Sequence, residues 1–307
     1  MRLGITSPVL VQHPSTRSEW EQAATIDDVA RIARRADDLG FNHITCSEHI
    51  AVPVEVAEVR GGTYWDPLAT FGYLAAATNR LHLVTNVLVL GYHHPLEIAK
   101  RYGTLDRVSG GRLVLGVGVG TLKEEFDLIG APFDDRGARA DDAIAALRAS
   151  LSTARPEYHG RFYDYADLVV EPHAVQDHVP IWVGGRTRRS LRRACAHGDG
   201  WAPFGLDSDQ LRTMLADAPI PPSFDVVLSS PRALDPLGAP DTVTRTLNDL
   251  RDAGATIAGA SLAARDAGHY VDQLEELHRL AHIEGVDFDG RVVPPGPDTG
   301  HEQESRT

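Results

Sequence analysis

The chain has 307 residues, a formal net charge of -13 at pH 7 and two cysteines, Cys46 and Cys195. That acidic balance excludes a general nucleic-acid binder and speaks against a membrane-surface protein, and no apolar run approaches transmembrane length. Two cysteines make no disulfide framework and suit a reducing cytoplasm, and the opening segment Met-Arg-Leu-Gly-Ile-Thr-Ser-Pro is too short and interrupted for a signal peptide.

Strand and helix patterns alternate along the chain. An apolar strand over 2–9 precedes a helix over 25–39, in which Ile26, Val29, Ile32, Ala33 and Ala36 recur at helical spacing before Gly40. A second strand covers 43–49, a helix 66–79, a third strand 81–90 and a helix 95–108 that stops at Gly110-Gly111. The fourth strand is 112–120 and its helix 134–152; the fifth is 179–185 and its helix 188–197. Strands over 201–206, 225–229 and 257–263 follow, with helices over 209–216, 241–253 and 269–282. Eight such units with non-alternating apolar strands imply a parallel sheet. At this length the expected fold is α/β, a single (β/α)8 TIM barrel over residues 1–290; a doubly wound open sheet is the alternative. Insertions follow strand two (50–65, a candidate lid) and precede strand five (158–178, opening as a short hairpin). Residues 291–307, rich in Pro, Gly and charge, read as a disordered tail.

In such a barrel the chemistry gathers at the strand C-termini. Strand five ends in Val183-Gly184-Gly185-Arg186, and Arg188, Arg189, Arg192 and Arg193 follow on its helix. Two glycines let backbone N–H groups approach a ligand, and a helix N-terminus favours an anion. Arginines there oppose the helix dipole, so a polyanion between them would explain their clustering; a solvated basic face is the plainer alternative. Strand two ends in Ser47-Glu48-His49, an imidazole able to act as acid, base or donor near neutral pH, although adjacent residues point to opposite faces. Asn86 interrupts an apolar strand, either as a satisfied buried amide or as a bulge beneath a planar ligand. Gly116, Gly118 and Gly120 alternate on strand four, leaving room for a flat ring, for close backbone approach or for tight barrel packing. His93 and His94 are adjacent rather than four apart and have no completing ligand set, so no metal site is expected.

Taken in order, these segments resemble one family. They are Ala36-Asp37-Asp38-Leu39-Gly40-Phe41, Ser47-Glu48-His49, Val84-Thr85-Asn86-Val87-Leu88-Val89, His94-Pro95-Leu96-Glu97-Ile98-Ala99-Lys100, Thr104-Leu105-Asp106-Arg107-Val108-Ser109-Gly110-Gly111-Arg112, Gly116-Val117-Gly118, Val183-Gly184-Gly185 and Gly198-Asp199-Gly200-Trp201. The series, spread over residues 1–285, resembles the luciferase-like flavin and deazaflavin oxidoreductases, and within them most closely the branch that uses coenzyme F420. The resemblance implies that Glu48 and His49 lie beside the ring system and that the Asn86–Val87 peptide is cis behind it. It further implies cofactor contacts at Gly118, with Gly184, Gly185 and Arg186 on the tail phosphate, and a homodimer. Family members that oxidise a sugar phosphate carry a Trp shortly after the His and a Glu at the end of strand four. Here Val52-Pro53 and Thr121 stand in those places, which argues against that substrate and leaves the general acid unassigned, with Glu124 and Glu125 nearby as helix-capping candidates.

The expected activity is hydride transfer between F420 and a small organic substrate, with His49 and Glu48 as the catalytic residues. An FMN-dependent two-component monooxygenase is the alternative, and a non-catalytic flavin or deazaflavin carrier a second one. Trp65, Tyr92 and Phe204 are candidate pocket aromatics or core residues.

Overall fold

The structure is a computed structural model that describes residues 1–14 and 17–288. The expected disordered tail, 291–307, lies outside the described residues.

Eight parallel strands close into a barrel: β1 (Arg2–Ile5), β2 (His43–Cys46), β3 (His82–Thr85), β4 (Leu113–Gly118), β5 (Ile181–Gly184), β6 (Gly200–Ala202), β7 (Asp225–Ser229) and β8 (Ile257–Ala260). Pairing runs from β1 to β2, β3, β4 and onward to β8, which returns to β1 through Leu3↔Ala258 and Gly4↔Gly259. The alternation of each strand sorts its side chains. Val84, Val114, Trp182, Val227 and Ile257 point inward and form a buried cluster of their own. Neighbours such as Leu83, Leu113, Leu115, Ile181 and Val183 point outward into the larger core beneath the helices. Full burial of each large side chain contributes about 1.5–3 kcal/mol, which is why apolar residues fill most positions on both faces, with His43, Thr45 and Thr85 as buried polar exceptions.

The helices are α1 (Ile26–Asp38), α2 (Val54–Arg60), α3 (Pro67–Ala77), α4 (Pro95–Ser109), α5 (Lys123–Leu128), α6 (Arg136–Ser150), α7 (Arg188–His197), α8 (Ser208–Ala216), α9 (Pro240–Asp252) and α10 (Ala267–Ile283). Their ends follow local chemistry. Thr25 and Asp28 form a capping box on α1, and Asp66 accepts from Ala69 N at 2.8 Å before Pro67 opens α3. Gly110, at φ 71°, ends α4 in the left-handed conformation that glycine adopts freely.

Seven of the eight expected strands are shorter in the structure, the seventh alone keeping its bounds; the second ends at Cys46, so Glu48 and His49 lie in the loop beyond it. The first stops at Ile5, because Val9 turns into positive φ and the chain runs on into Val11–Gln12, which pairs antiparallel with Thr63–Tyr64 of the insertion. The third breaks after Thr85, and Leu88–Val89 pairs separately with β4. The sixth is only Gly200–Ala202. The expected hairpin is present as Tyr158–His159 against Asp164–Tyr165. Helices α2 and α5, both short, carry too few turns for a periodic signal and were not expected. No described helix is long and apolar enough to cross a membrane.

Candidate active site

A cavity of about 830 Å³ opens at the C-terminal end of the strands. Glu48, His49, Asn86, Val87, Gly118, Gly184, Gly185 and Arg186 all line it, although they come from four different strand ends. Tyr92 and Phe204 line it too, whereas Trp65 packs against the main core.

One wall is the Asn86–Val87 peptide, which is cis. Asn86 N donates to Cys46 O at 2.7 Å and Ser47 Oγ to Asn86 O at 2.5 Å, so β2 holds this peptide from one side. The glycines hold it from the others. A Cβ at Gly118 would stand 2.6 Å from Val87 Cγ2, one at Gly184 2.7 Å from Val87 Cγ1, and one at Gly116 1.8 Å from Thr85 O. The alternating glycines of β4 are thus filled by the Thr85–Val87 backbone and the Val87 side chain; close chain packing, rather than empty space, accounts for Gly116 and Gly118.

Glu48 and His49, in the loop just past β2, part company. Glu48 is buried, its Oε1 receiving His93 Nε2 at 2.6 Å and its Oε2 the Val89 amide at 2.7 Å. Burial would lower the His93 pKa, but the Glu48 hydrogen bond and charge, with Glu97, outweigh it and raise it above the ordinary histidine value. His49 turns the other way. Its Nδ1 lies 2.7 Å from Glu125 Oε2, and its ring packs edge-on against Tyr64 of the insertion, centroids 4.4 Å apart. Glu125 also receives Tyr92 OH at 2.7 Å and the Ile50 and Ala51 amides at 2.5 and 3.1 Å. Burial pushes its carboxyl up, but these four donors together hold it below the usual carboxylate range. The sequence offered no sign of the Glu125–His49 pair, since 76 residues separate its members; a glutamate on a six-residue helix reads only as a cap.

The other end of the cavity is basic. Arg136, Arg186, Arg189 and Arg193 line it. Two of them are engaged. Arg193 is ion-paired with Asp141 and donates to Gly137 O, and Arg136 donates to Gly120 O with its guanidinium 3.9 Å over the Phe133 ring. Among the described residues the Arg186 and Arg189 guanidiniums have no hydrogen-bond or ion-pair partner. The expected arginine cluster therefore divides: Arg188 pairs with Asp217, and Arg188 and Arg192 lie outside the cavity. At the turn itself Gly185 takes φ 128°, and Thr187 and Ser190 cap α7 reciprocally. With Glu48 engaged and Asp135 its other lining acid, this end is a locally cationic recess in an anionic protein, suited to a phosphate or polyanion.

The family model for luciferase-like monooxygenases matches residues 1–219. Among similar proteins is the F420-dependent glucose-6-phosphate dehydrogenase of Intrasporangium calvum, 29% identical over 262 residues, which cover 80% of this chain and 74% of that one. Another is the FMNH(2)-dependent dimethylsulfone monooxygenase of Pseudomonas putida, 26% identical over 218 residues, 69% of this chain and 57% of that one. The crystal structure of the monooxygenase RslO1 from Streptomyces bottropensis superposes with a TM-score of 0.76 at 21% identity, covering 93% of this chain and 100% of the other, a likeness of fold.

Proposed function

The chain belongs to the luciferase-like monooxygenase family, and on that premise we propose that it is an oxidoreductase moving a hydride between coenzyme F420 and a small organic substrate. The observation that carries the choice of cofactor is the pair of guanidiniums on Arg186 and Arg189, open to the cavity and without partners among the described residues. A phosphate followed by an oligoglutamate tail offers both guanidiniums an anion, where a single phosphate group offers one. The cavity's volume of about 830 Å³ also accommodates a tricyclic ring system.

When bound, the deazaflavin supplies two-electron hydride chemistry. The residues supply the rest. Gly184, Gly185 and Arg186 would hold the anionic tail, and Val87, backed by Gly118 and Gly184, would face the ring system. His49 presents its Nε2 to the cavity, where it gives or takes the proton that accompanies hydride transfer. Glu48 contributes by fixing the Val89 amide and His93, and so the loop that follows the Asn86–Val87 wall. Tyr64 of the 50–65 insertion packs edge-on against the His49 ring and shields that side of it.

His49→Ala tests this reading. With F420 and a panel of small alcohols, aldehydes and enones, followed by deazaflavin absorbance, turnover should fall by about 10²–10⁴-fold with cofactor affinity kept. Equal rates in the variant and the parent would remove His49 from the mechanism. The FMN-dependent relative supports a second reading, oxygen activation by reduced FMN, which oxygen consumption without turnover of F420 would bring forward.

A further inference from the structure

Four donors converge on the Glu125 carboxylate, and its two oxygens divide them. Oε2 takes His49 Nδ1 and Tyr92 OH, both at 2.7 Å. Oε1 takes the amides of Ile50 and Ala51, the first two residues of the insertion whose Tyr64 covers the same imidazole. The Glu125 side chain is 0% exposed, so no water substitutes for these partners. An ionised carboxylate can only accept, and the depressed pKa of Glu125 keeps it ionised at neutral pH. Nδ1 must therefore carry the proton, and Nε2 is the nitrogen left for the cavity. The other groups nearby do not compete: Tyr64 meets the ring at its edge, Tyr92 is spent on Glu125, and Glu48 is spent on His93 and Val89.

The geometry points to Glu125 as a positioning residue with two charges in its keeping: it fixes the tautomer of His49, and through its second oxygen it ties the root of the 50–65 insertion to that tautomer. The consequence for turnover rests on the reading of His49 as the proton-handling group; the tautomer and the anchoring of the insertion do not. One carboxylate thus serves both the His49 imidazole and the root of the insertion.

The test is Glu125→Gln in the full chain. An amide has one accepting oxygen and one donating nitrogen, so it can serve one half of the donor set and must oppose the other. Selective ¹⁵N-histidine labelling, with the His49 signals assigned by His49→Ala, reads the neutral tautomer at alkaline pH, and amide hydrogen exchange reads Ile50 and Ala51. In the parent, Nδ1 should be protonated, Nε2 bare and both amides protected. In E125Q, either the proton moves to Nε2 or the two amides exchange at least about 10-fold faster. Tyr92→Phe leaves the carboxylate in place and should keep the parent tautomer. A protonated Nε2 in the parent protein overturns the assignment whether or not E125Q folds. Unchanged tautomer together with unchanged exchange in a folded E125Q overturns it as well. Both readouts need no cofactor, so their failure is distinct from a failure of the proposed hydride transfer, which the turnover of His49→Ala decides.

Discussion

Gly118→Ala should press Val87 out of its seat, and Val87→Ala should relieve it. A Cβ at Gly118 would lie 2.6 Å from Val87 Cγ2, where ordinary contact begins at 3.4 Å, so the valine would have to retreat by about 0.8 Å. Its other methyl group faces Gly184, where an added Cβ would stand 2.7 Å from Val87 Cγ1, so little room is left on that side. Overpacking of this kind costs about 1–3 kcal/mol. Val87→Ala alone removes two partly buried methyl groups and costs about 1 kcal/mol. If the contact is the cause, the double variant should cost little more than Val87→Ala, a coupling of about 1–2 kcal/mol. Gly184→Ala should behave alike, since the same alanine removes Cγ1. Gly116→Ala should not be rescued, because its Cβ would strike the Thr85 carbonyl at 1.8 Å rather than a side chain. Urea unfolding of the single and double variants measures these terms. Additivity to within about 0.5 kcal/mol would refute that cause, as would rescue of Gly116→Ala by Val87→Ala.

Three further outcomes are expected. Arg186→Glu should weaken binding of F420 by about 10- to 100-fold while leaving a tail-less deazaflavin unaffected; equal losses for both would show that the basic recess does not read the tail. His93 has a folded pKa raised above its ordinary 6.5, so its pairing with Glu48 contributes stability that is complete below 6.5 and is lost as pH rises through the folded value. Unfolding free energy should accordingly decline on the alkaline side in the parent, and His93→Gln should flatten that limb; an identical profile in both would contradict the pairing. Asp37 gathers the amides of Asn79, Arg80 and Leu81 at 2.8, 2.7 and 2.6 Å where α3 turns into β3. Asp37→Ala should cost about 3 kcal/mol in urea unfolding, because three donors lose a charged acceptor at once, and a cost near zero would show that they find other partners.

The barrel was legible because its signals are local and repeated: apolar strands, amphipathic helices such as α1, and glycine or proline at their ends. The gathering of Glu48, His49, Asn86, Val87, Gly118, Gly184, Gly185 and Arg186 around one cavity came from position on the strand ends, together with a family resemblance. What stayed hidden was pairing across the barrel mouth. His49 sits beside Glu48 in sequence, yet it is served by Glu125, while Glu48 serves His93, 45 residues on. Alternation along a strand says that neighbours diverge, but not which loops their side chains meet. The same limit held for the arginines: spacing placed five together, and only the fold separates Arg186 and Arg189, which are free to meet a ligand, from Arg193, held by Asp141, and Arg188, held by Asp217.

The proposed cofactor is tested most directly by titrating the purified protein with F420 and with FMN, oxidised and reduced, and following fluorescence. Saturable binding of F420 with FMN at least about 10-fold weaker is the result expected of a recess built for a polyanionic tail. Preference for FMN would contradict the F420 reading and make oxygen-dependent chemistry the next assay, and binding of neither would contradict the assignment of this cavity as a flavin or deazaflavin site.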